Sequence, residues 1–327
     1  MSGQLVAPSV AATMIKTGRY FSVAGDESAL ANLPQGNWIG GTIPYFMGQD
    51  GGETTREKVY VSPLPTFGAT PEVRLYDIVS LQHICEDAPE HGYSIVILPA
   101  FSEVHAHFAR NAPNYADMYL KPLVGWVAGI HLDDLGKRSA KVFDGAKGRS
   151  SEEHAIVVHV PLPPEKNADI EIVNLFTQGN GPTIRFPNGG FSASDCLIDG
   201  KPGNLAKHLE SAKIDTKLPL VADYCGAMVN VSIKGVDAAK GTVDFYAPVF
   251  EGMDYRFAAP VPDYVSAFAD ALPQGNLRIG MACNCILNFL YSELEGKKTA
   301  NMTGPMTFGE VAYQLLNQTM VYMTITE

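Results

Sequence analysis

The pentapeptide LPQGN occurs twice in the chain, at Leu33–Asn37 and again at Leu272–Asn276. Small apolar residues at helical spacing precede both copies, as SALAN and SAFADA, and an Ile-Gly pair follows both, in WIGGTIP and LRIGMACN. Each copy therefore predicts a helix, a tight turn and a core strand. One interpretation is an internal duplication of the chain. The alternative is a common helix-to-strand connection in which proline and glycine mark the turn.

The duplication hypothesis predicts an α+β fold of two pseudo-duplicated halves, with mixed or antiparallel sheets flanked by helices. We place these halves at residues 1–165 and 166–327. Runs of β-branched residues predict buried strands, and capping side chains predict helix starts. The predicted strands include YSIVILPA, LVGWVAGI, HAIVVHVPLP and IEIVNLF, and the predicted helices are capped by Ser9, Ser102 and Asp263 or lie in TFGEVAYQLLNQ.

The composition indicates a globular protein that does not bind nucleic acid. Of the 327 residues, 46% are hydrophobic, which is enough for a substantial core, and only 18% are charged. The net charge of −11 repels phosphate backbones. The nearest approach to a basic cluster, Lys137, Arg138 and Lys141, stands beside aspartates and is typical of a solvated surface.

Cysteine usage and hydropathy predict a cytoplasmic location. The five cysteines are an odd number in a large chain, which favours a reducing compartment over a disulfide framework. No stretch approaches the roughly 18 consecutive apolar residues of a membrane helix. The N-terminal segment lacks the basic region of a signal peptide. We therefore expect no membrane partner.

An ordered series of weak motifs fills the C-terminal half. It comprises CLIDGKPGNLAKHL, PLVADYCGAMVNVSIKGVD, APVFEGMDYRFAAP, IGMACNC, SELEG and GPMTFGEVA. In its order and spacing the series resembles the FIST domain, a bacterial and archaeal sensory module. The resemblance runs from Phe191 to the C-terminus, and NWIGGTIPYF is similar to a Gly-Gly-Thr segment of the family's N-terminal part. The chain departs from the family at residues 286–288, where Ile-Leu-Asn stands in place of an arginine that is frequent there.

The resemblance implies a FIST N-like half in residues 1–165 and a FIST C-like half in residues 166–327. It further implies a non-catalytic protein that binds a small molecule and transduces a signal. Some FIST proteins bind haem and sense nitric oxide, so haem is a candidate cofactor. Such a stand-alone sensor is expected to act on a separate signalling partner protein.

The predicted ligand pocket lies between the two halves. Strand ends at such a junction often bind ligands, and buried acids at the ends of elements are often functional. The structural alternatives to a ligand site are that the cysteines are small side chains buried in the core, and that Glu310 is a carboxylate in the first turn of a helix. The predicted ligand-binding residues are Gly40, Gly41, Thr42, Cys283, Asn284, Cys285, Phe308, Gly309 and Glu310.

Catalytic and metal chemistry are alternatives with less support. His105 and His107 on a helix point about 200° apart, so they cannot chelate one ion. A hydrolase that uses Cys225 or a histidine-bound metal remains a further alternative. No nucleotide-binding fingerprint occurs, and we predict no catalytic and no metal-binding residues. The candidate single haem ligands are His83, His105, His107, His131, His154, His159 and His208.

Overall fold

The computed structural model describes residues 3–224, 226–272 and 278–327. The fold is α+β, as predicted, with mixed sheets and few helices. None of the described helices is long and apolar enough to cross a bilayer. Three structural units, a first, a second and a third, follow one another along the chain, and a separate lobe is inserted into the third.

The first unit occupies residues 4–63. Its elements are β1 (Gln4–Val6), α1 (Pro8–Ile15), β2 (Phe21–Gly25), α2 (Glu27–Leu30), β3 (Trp38–Thr42), β4 (Tyr45–Gly48), β5 (Gly51–Thr54) and β6 (Val59–Pro63). The first helix begins after Ala7, which makes no side-chain cap, so the predicted Ser9 cap is wrong. Pro8 starts the helix instead, because its fixed φ suits the first helical turn.

The second unit occupies residues 72–161. Its elements are β7 (Glu72–Tyr76), a 3₁₀ turn (Ser80–His83), β8 (Gly92–Pro99), α3 (Glu103–Asn111), β9 (Leu123–Ala128), β10 (Val142–Asp144), β11 (Arg149–Ser151) and β12 (Ala155–Pro161), with further 3₁₀ turns at Ala112–Asn114 and Leu132–Asp134. The predicted cap of α3 is confirmed, since Ser102 Oγ accepts a hydrogen bond from the His105 amide.

The third unit opens with β13 (Asn167–Val173), and the lobe follows it. The lobe elements are β14 (Ile184–Arg185), β15 (Gly190–Ala193), β16 (Asp195–Ile198), β17 (Lys201–Asn204), α4 (Leu205–Ala212), β18 (Leu220–Tyr224), β19 (Ala227–Val231), β20 (Ile233–Asp237), β21 (Thr242–Val249) and β22 (Tyr255–Phe257). They form a six-stranded sheet and a three-stranded sheet, β15-β21-β20, around a hydrophobic core of their own.

The chain then returns to complete the third unit. Its remaining elements are α5 (Tyr264–Ala271), β23 (Ile279–Cys285), α6 (Ile286–Tyr291), β24 (Gly304–Thr307), β25 (Glu310–Ala312), β26 (Gln314–Leu316) and β27 (Met320–Thr326). The predicted Asp263 cap of α5 is confirmed. The helix predicted in TFGEVAYQLLNQ is wrong, because this segment is the β25-β26 hairpin, which turns at Tyr313 with a φ of 64°.

The three units build three sheets of the same topology. The orders are β1-β6-β2-β3-β10-β11, β7-β12-β8-β9-β25-β26 and β13-β27-β23-β24-β4-β5. In every sheet the third and fourth strands are parallel and are joined through a helix. The other neighbours are antiparallel.

Each unit lends its hairpin to another unit's sheet. The β4-β5 hairpin of the first unit pairs with β24 of the third, β25-β26 of the third pairs with β9 of the second, and β10-β11 of the second pairs with β3 of the first. This cyclic exchange closes the body of the protein, so the structural repeat is threefold rather than the predicted pair of halves.

The LPQGN segments do not mark equivalent places in this repeat. Leu33–Asn37 lies between α2 and β3, the second strand of a parallel pair. The second copy precedes β23, the first strand of a parallel pair, and its residues 273–276 lie outside the described part of the chain. The predicted helix-then-strand order is present around both copies. Their positions favour the alternative of a recurrent helix-to-strand connection.

Candidate functional site

The predicted residues Gly40, Gly41 and Thr42 are buried on β3 and leave no space for a ligand. A Cβ atom on Gly41 would lie 2.7 Å from the side chains of Ile97 and Trp126. The carbonyl of Thr42 accepts a hydrogen bond of 2.7 Å from the Gly129 amide. Gly41 therefore permits the first sheet to pack closely on the second, whereas a Cβ atom on Gly40 would lie 2.7 Å from the Val23 carbonyl oxygen in its own sheet.

Cys283, Asn284 and Cys285 are buried on β23, on the other side of β9. The Cys283 thiol donates to the carbonyl of Gly125 at 3.4 Å, and Asn284 Oδ1 accepts a hydrogen bond from Asn288 Nδ2 at 2.9 Å. Burial raises the pKa of both thiols. They are therefore protonated near neutral pH and poor nucleophiles.

Glu310 lies at the centre of the body and is fully buried. Its Oε2 accepts from Thr319 Oγ1 at 2.8 Å and from the Thr319 amide at 3.3 Å, and its Oε1 lies 3.2 Å from Thr307 Oγ1. Burial raises its pKa to about 8, against the opposing effect of these hydrogen bonds. The carboxyl group is therefore mostly protonated at pH 7. The protonated carboxyl group can donate a hydrogen bond to Thr307 Oγ1. The Thr307 hydroxyl then donates to the Gly309 carbonyl, which lies 3.0 Å away.

The repeat shows that Glu310 is a departure from an apolar pattern. Phe46 on β4 and Phe143 on β10 occupy the positions that Glu310 occupies on β25. Each of these three residues pairs with a residue on the fourth strand of its sheet. That partner lies two positions before the last fourth-strand residue that pairs with the parallel third strand. A carboxyl group thus replaces a phenyl ring in one of three equivalent places.

A cleft of about 1390 Å³ lies beside α3, where the lobe meets the body. Its volume exceeds the roughly 300–1,000 Å³ of pockets for drug-sized ligands. Phe308 is the single predicted site residue on its wall. The body contributes the start of α3, the loops around residues 130–140 and 152–154, and α6. The lobe wall consists of Phe191, Ser192, Lys234, Asp244, Phe245 and Tyr246.

Large apolar side chains are exposed inside this cleft. Phe101 is 54% exposed, and Ile78, Leu135 and Leu290 are also exposed. The Phe101 ring meets the Phe308 ring edge to face, with centroids 6.0 Å apart. Exposed apolar surface in a concave site is typical of ligand binding.

The backbone of Phe101 is strained. Its φ of 65° lies in the left-handed region, which bulky side chains rarely adopt. This strained backbone conformation places an exposed aromatic ring at the turn between β8 and α3. Strained residues cluster at functional sites, where the surrounding structure holds them in place.

Two cation–π contacts join the lobe to the body beside this cleft. The Lys234 ammonium of the lobe lies 5.0 Å from the Phe101 ring centroid, and the Arg110 guanidinium of α3 lies 5.1 Å from the centroid of Phe191. Buried amide contacts add to them, since Asn230 Nδ2 donates to the Asn317 carbonyl at 3.1 Å. The lobe is thus fixed on the body at several points around the cleft.

His105 lines the cleft and is buried, with its Nδ1 accepting a hydrogen bond of 3.3 Å from the Phe101 amide. Nδ1 therefore carries no proton, and Nε2 carries it. Within the described part of the chain, Nε2 has no hydrogen-bond partner. Burial lowers the pKa of His105 to about 4, so the ring is neutral at pH 7.

The remaining predicted histidines are dispersed. His107 Nδ1 lies 2.8 Å from Tyr115 Oη, and His105 and His107 have separate partners, as the helix geometry predicts. His154 lines the cleft, with its Nδ1 2.9 Å from Ser151 Oγ. His159 is buried between Ser94 and Tyr76, at 2.7 and 2.9 Å.

No group of three or more potential metal ligands occurs among the residues that the structure describes. Cys225 lies outside them, so the predicted alternative of a cysteine nucleophile falls on a position without a structural description.

The sequence matches a family of unknown function, DUF6976, over residues 6–326. The chain belongs to this family. No curated protein matches the sequence. Within this DUF6976 chain, the cleft is the candidate site, and its geometry carries the functional argument.

Sequence patterns indicated little of the cleft of this DUF6976 chain. Its walls come from elements far apart in the chain, and only a three-dimensional arrangement brings Phe101 and Lys234 together. One signal was available in AFSEVHAHF, where an aromatic residue stands just before the predicted cap Ser102 at a strand-to-helix turn.

Proposed function

We propose that this protein is a non-catalytic, small-molecule-binding sensor of FIST-like type, and that its ligand occupies the cleft beside α3. The single observation that carries the proposal is the strained, exposed Phe101 at the cleft, with a second aromatic ring, Phe308, against it. The lobe and the body both line the cleft. A bound ligand therefore contacts both and alters their contacts, which a separate signalling protein in the cytoplasm can read.

A thermal-shift screen of metabolites tests this proposal, with Phe101→Gly as the site variant. Phe67→Gly is a matched control, because Phe67 is 50% exposed, has a φ of 48° and lies 5.8 Å beneath the Lys166 ammonium, yet does not line the cleft. We expect a ligand that stabilises the wild type and Phe67→Gly equally, with at least about tenfold weaker binding to Phe101→Gly. Equal binding to all three proteins would place the ligand elsewhere and reject the cleft.

Haem binding is the second candidate, favoured by the two histidines on the cleft wall. The Nε2 atom of His105 is hidden from solvent, so the candidate iron ligand on the cleft wall is His154, through Nε2, since its Nδ1 lies 2.9 Å from Ser151 Oγ. A bound haem would supply a gas-binding iron, while His154 would hold it from the 152–154 loop. An absorbance scan of protein from haem-supplemented cells tests this candidate. A Soret band that His154→Ala abolishes supports it, and a colourless protein rejects it.

A further inference from the structure

We infer that the cleft recognises an organic cation, an ammonium group carried on an apolar body; this inference rests on the proposed ligand site. Its basis is the combination of aromatic faces, carboxylates and an internal cation that already sits on one of those faces.

The aromatic faces come from both walls of the cleft. Phe101 and Phe308 belong to the body, and Phe191 and Tyr246 belong to the lobe. The negative face of an aromatic ring attracts cations, and walls of several rings are a recurrent way to bind ammonium groups. Exposed Leu135 and Leu290 supply apolar contacts for the rest of such a ligand.

The charges on the cleft walls favour a cation. Five carboxylates and two cationic side chains line it. Of these, Arg138 is engaged by Glu27 and Asp134 at 2.9 and 3.3 Å, and Glu152 is engaged by Lys141 at 3.2 Å. Among the carboxylates, Glu103 lies on the body wall and Asp244 on the lobe wall. A positively charged ligand thus meets negative charge on both sides.

Besides the Lys234 ammonium, the N-terminus of α3 is a feature of the cleft wall that would favour an anion. Its positive end faces the cleft, but Glu103 stands in its first turn and offsets that charge. Ser102 Oγ occupies the His105 amide, and His105 itself is neutral. The helix start therefore contributes little net positive potential.

Lys234 marks the place of the ligand cation. Its ammonium lies 5.0 Å from the centroid of Phe101, so it occupies the face that the ligand ammonium would take. The two cations compete for one ring. Removing the lysine charge should then strengthen binding of a cation, whereas it should weaken binding of an anion.

The test uses three probes of one shape and different charge: choline, 3,3-dimethylbutan-1-ol and 3,3-dimethylbutanoate. Binding is followed by NMR of methyl-labelled protein, through the signals of Ile78, Leu135 and Leu290 in the cleft. The proteins are the wild type, Lys234→Gln and Lys166→Gln. Lys166 is the matched control, because its ammonium lies 5.8 Å from the ring of Phe67, away from the cleft.

We expect choline to bind more tightly than the alcohol and the carboxylate. We expect Lys234→Gln to tighten choline binding by about threefold to tenfold, from the loss of one competing cation–π contact and one like charge. Lys166→Gln should bind as the wild type does.

Two other outcomes overturn the inference in different ways. Preferential binding of the carboxylate, weakened by Lys234→Gln, would leave the cleft as a ligand site and reject the cation. If no probe moves the cleft signals at millimolar concentration, the cation is again rejected. The metabolite screen with Phe101→Gly then decides the proposed function on its own.

Discussion

The centre around Glu310 and the cleft beside α3 differ in which groups are buried and which are exposed. At the centre a carboxyl group is fully buried and satisfied by neighbouring threonines. In the cleft an aromatic ring is exposed and its backbone is strained. A buried polar group with its hydrogen bonds satisfied is typical of a structural role, whereas exposed apolar surface in a concave site is typical of ligand binding. We therefore expect the centre to contribute mainly to stability, and we propose that the ligand binds in the cleft.

The pH dependence of stability is the largest expected effect of the centre. Because the folded-state pKa of Glu310 is about 8 and its usual value is 4.5, the folded state binds a proton more tightly than the unfolded state between these values. This contribution to stability falls as pH rises, by at most about 1.4 kcal/mol per pH unit, and it is separate from that of the buried histidines only above pH 6.5. Urea unfolding from pH 6.5 to 8.5 measures it. In Glu310→Gln, which cannot ionise, this slope should disappear, and an unchanged slope would assign it to another group.

Truncation of the same residue should have the next largest effect. Glu310→Ala leaves a cavity and unpairs the Thr319 amide, so we expect a loss of about 3 kcal/mol. The control Glu103→Ala, an exposed carboxylate of the cleft, should change stability by less than about 0.5 kcal/mol. Denaturant unfolding at pH 6 compares them. Equal losses would contradict the division between centre and cleft.

Burial of His159 should produce the opposite pH slope on the acid side. Its folded-state pKa is about 4 against a usual 6.5, mainly because burial disfavours the charged ring. The unfolded state then binds more protons within this window, so stability should fall as pH drops from 6.5 to 4. His159→Gln should reduce this slope by at most about 1.4 kcal/mol per pH unit, the contribution of one proton, and the loss of its hydrogen bonds should lower stability by a further amount that does not depend on pH in this window.

The smallest effect on stability should come from the cleft. In Phe101→Gly the relief of backbone strain offsets the lost ring contacts, so we expect a change within about 0.5 kcal/mol. Its effect on ligand affinity should nevertheless be large. A stability loss above about 2 kcal/mol would show that Phe101 is a packing residue, and the comparison with the centre would fail.

Local patterns in the sequence predicted individual elements well. The β-branched runs that became β8 and β12, and the caps at Ser102 and Asp263, depend on neighbours within a few residues, so sequence suffices for them. The hairpin that begins at Glu310 was predicted as a helix, because its apolar residues have helical spacing. Pairing with β9 of another unit overrides that spacing.

The threefold exchange of hairpins and the cleft depend on long-range contacts. The repeated LPQGN segment predicted two units. The threefold repeat is a repeat of sheet topology, which a shared pentapeptide does not indicate. Cys283, Asn284 and Glu310, which were predicted to bind the ligand, are buried, and Glu310 is hydrogen-bonded to Thr307. Phe308 is the residue of the predicted ligand-binding set that lines the cleft, and His105 and His154 of the predicted haem ligands line it as well.

The most direct measurement compares the affinity of the strongest ligand from the metabolite screen for Phe101→Gly and for Glu310→Gln. The first variant alters the cleft and the second alters the buried centre, and both preserve the fold in this account. We predict at least about tenfold weaker binding to Phe101→Gly and unchanged binding to Glu310→Gln. Weaker binding to Glu310→Gln, with Phe101→Gly unaffected, would contradict the account and return the ligand site to the centre of the body.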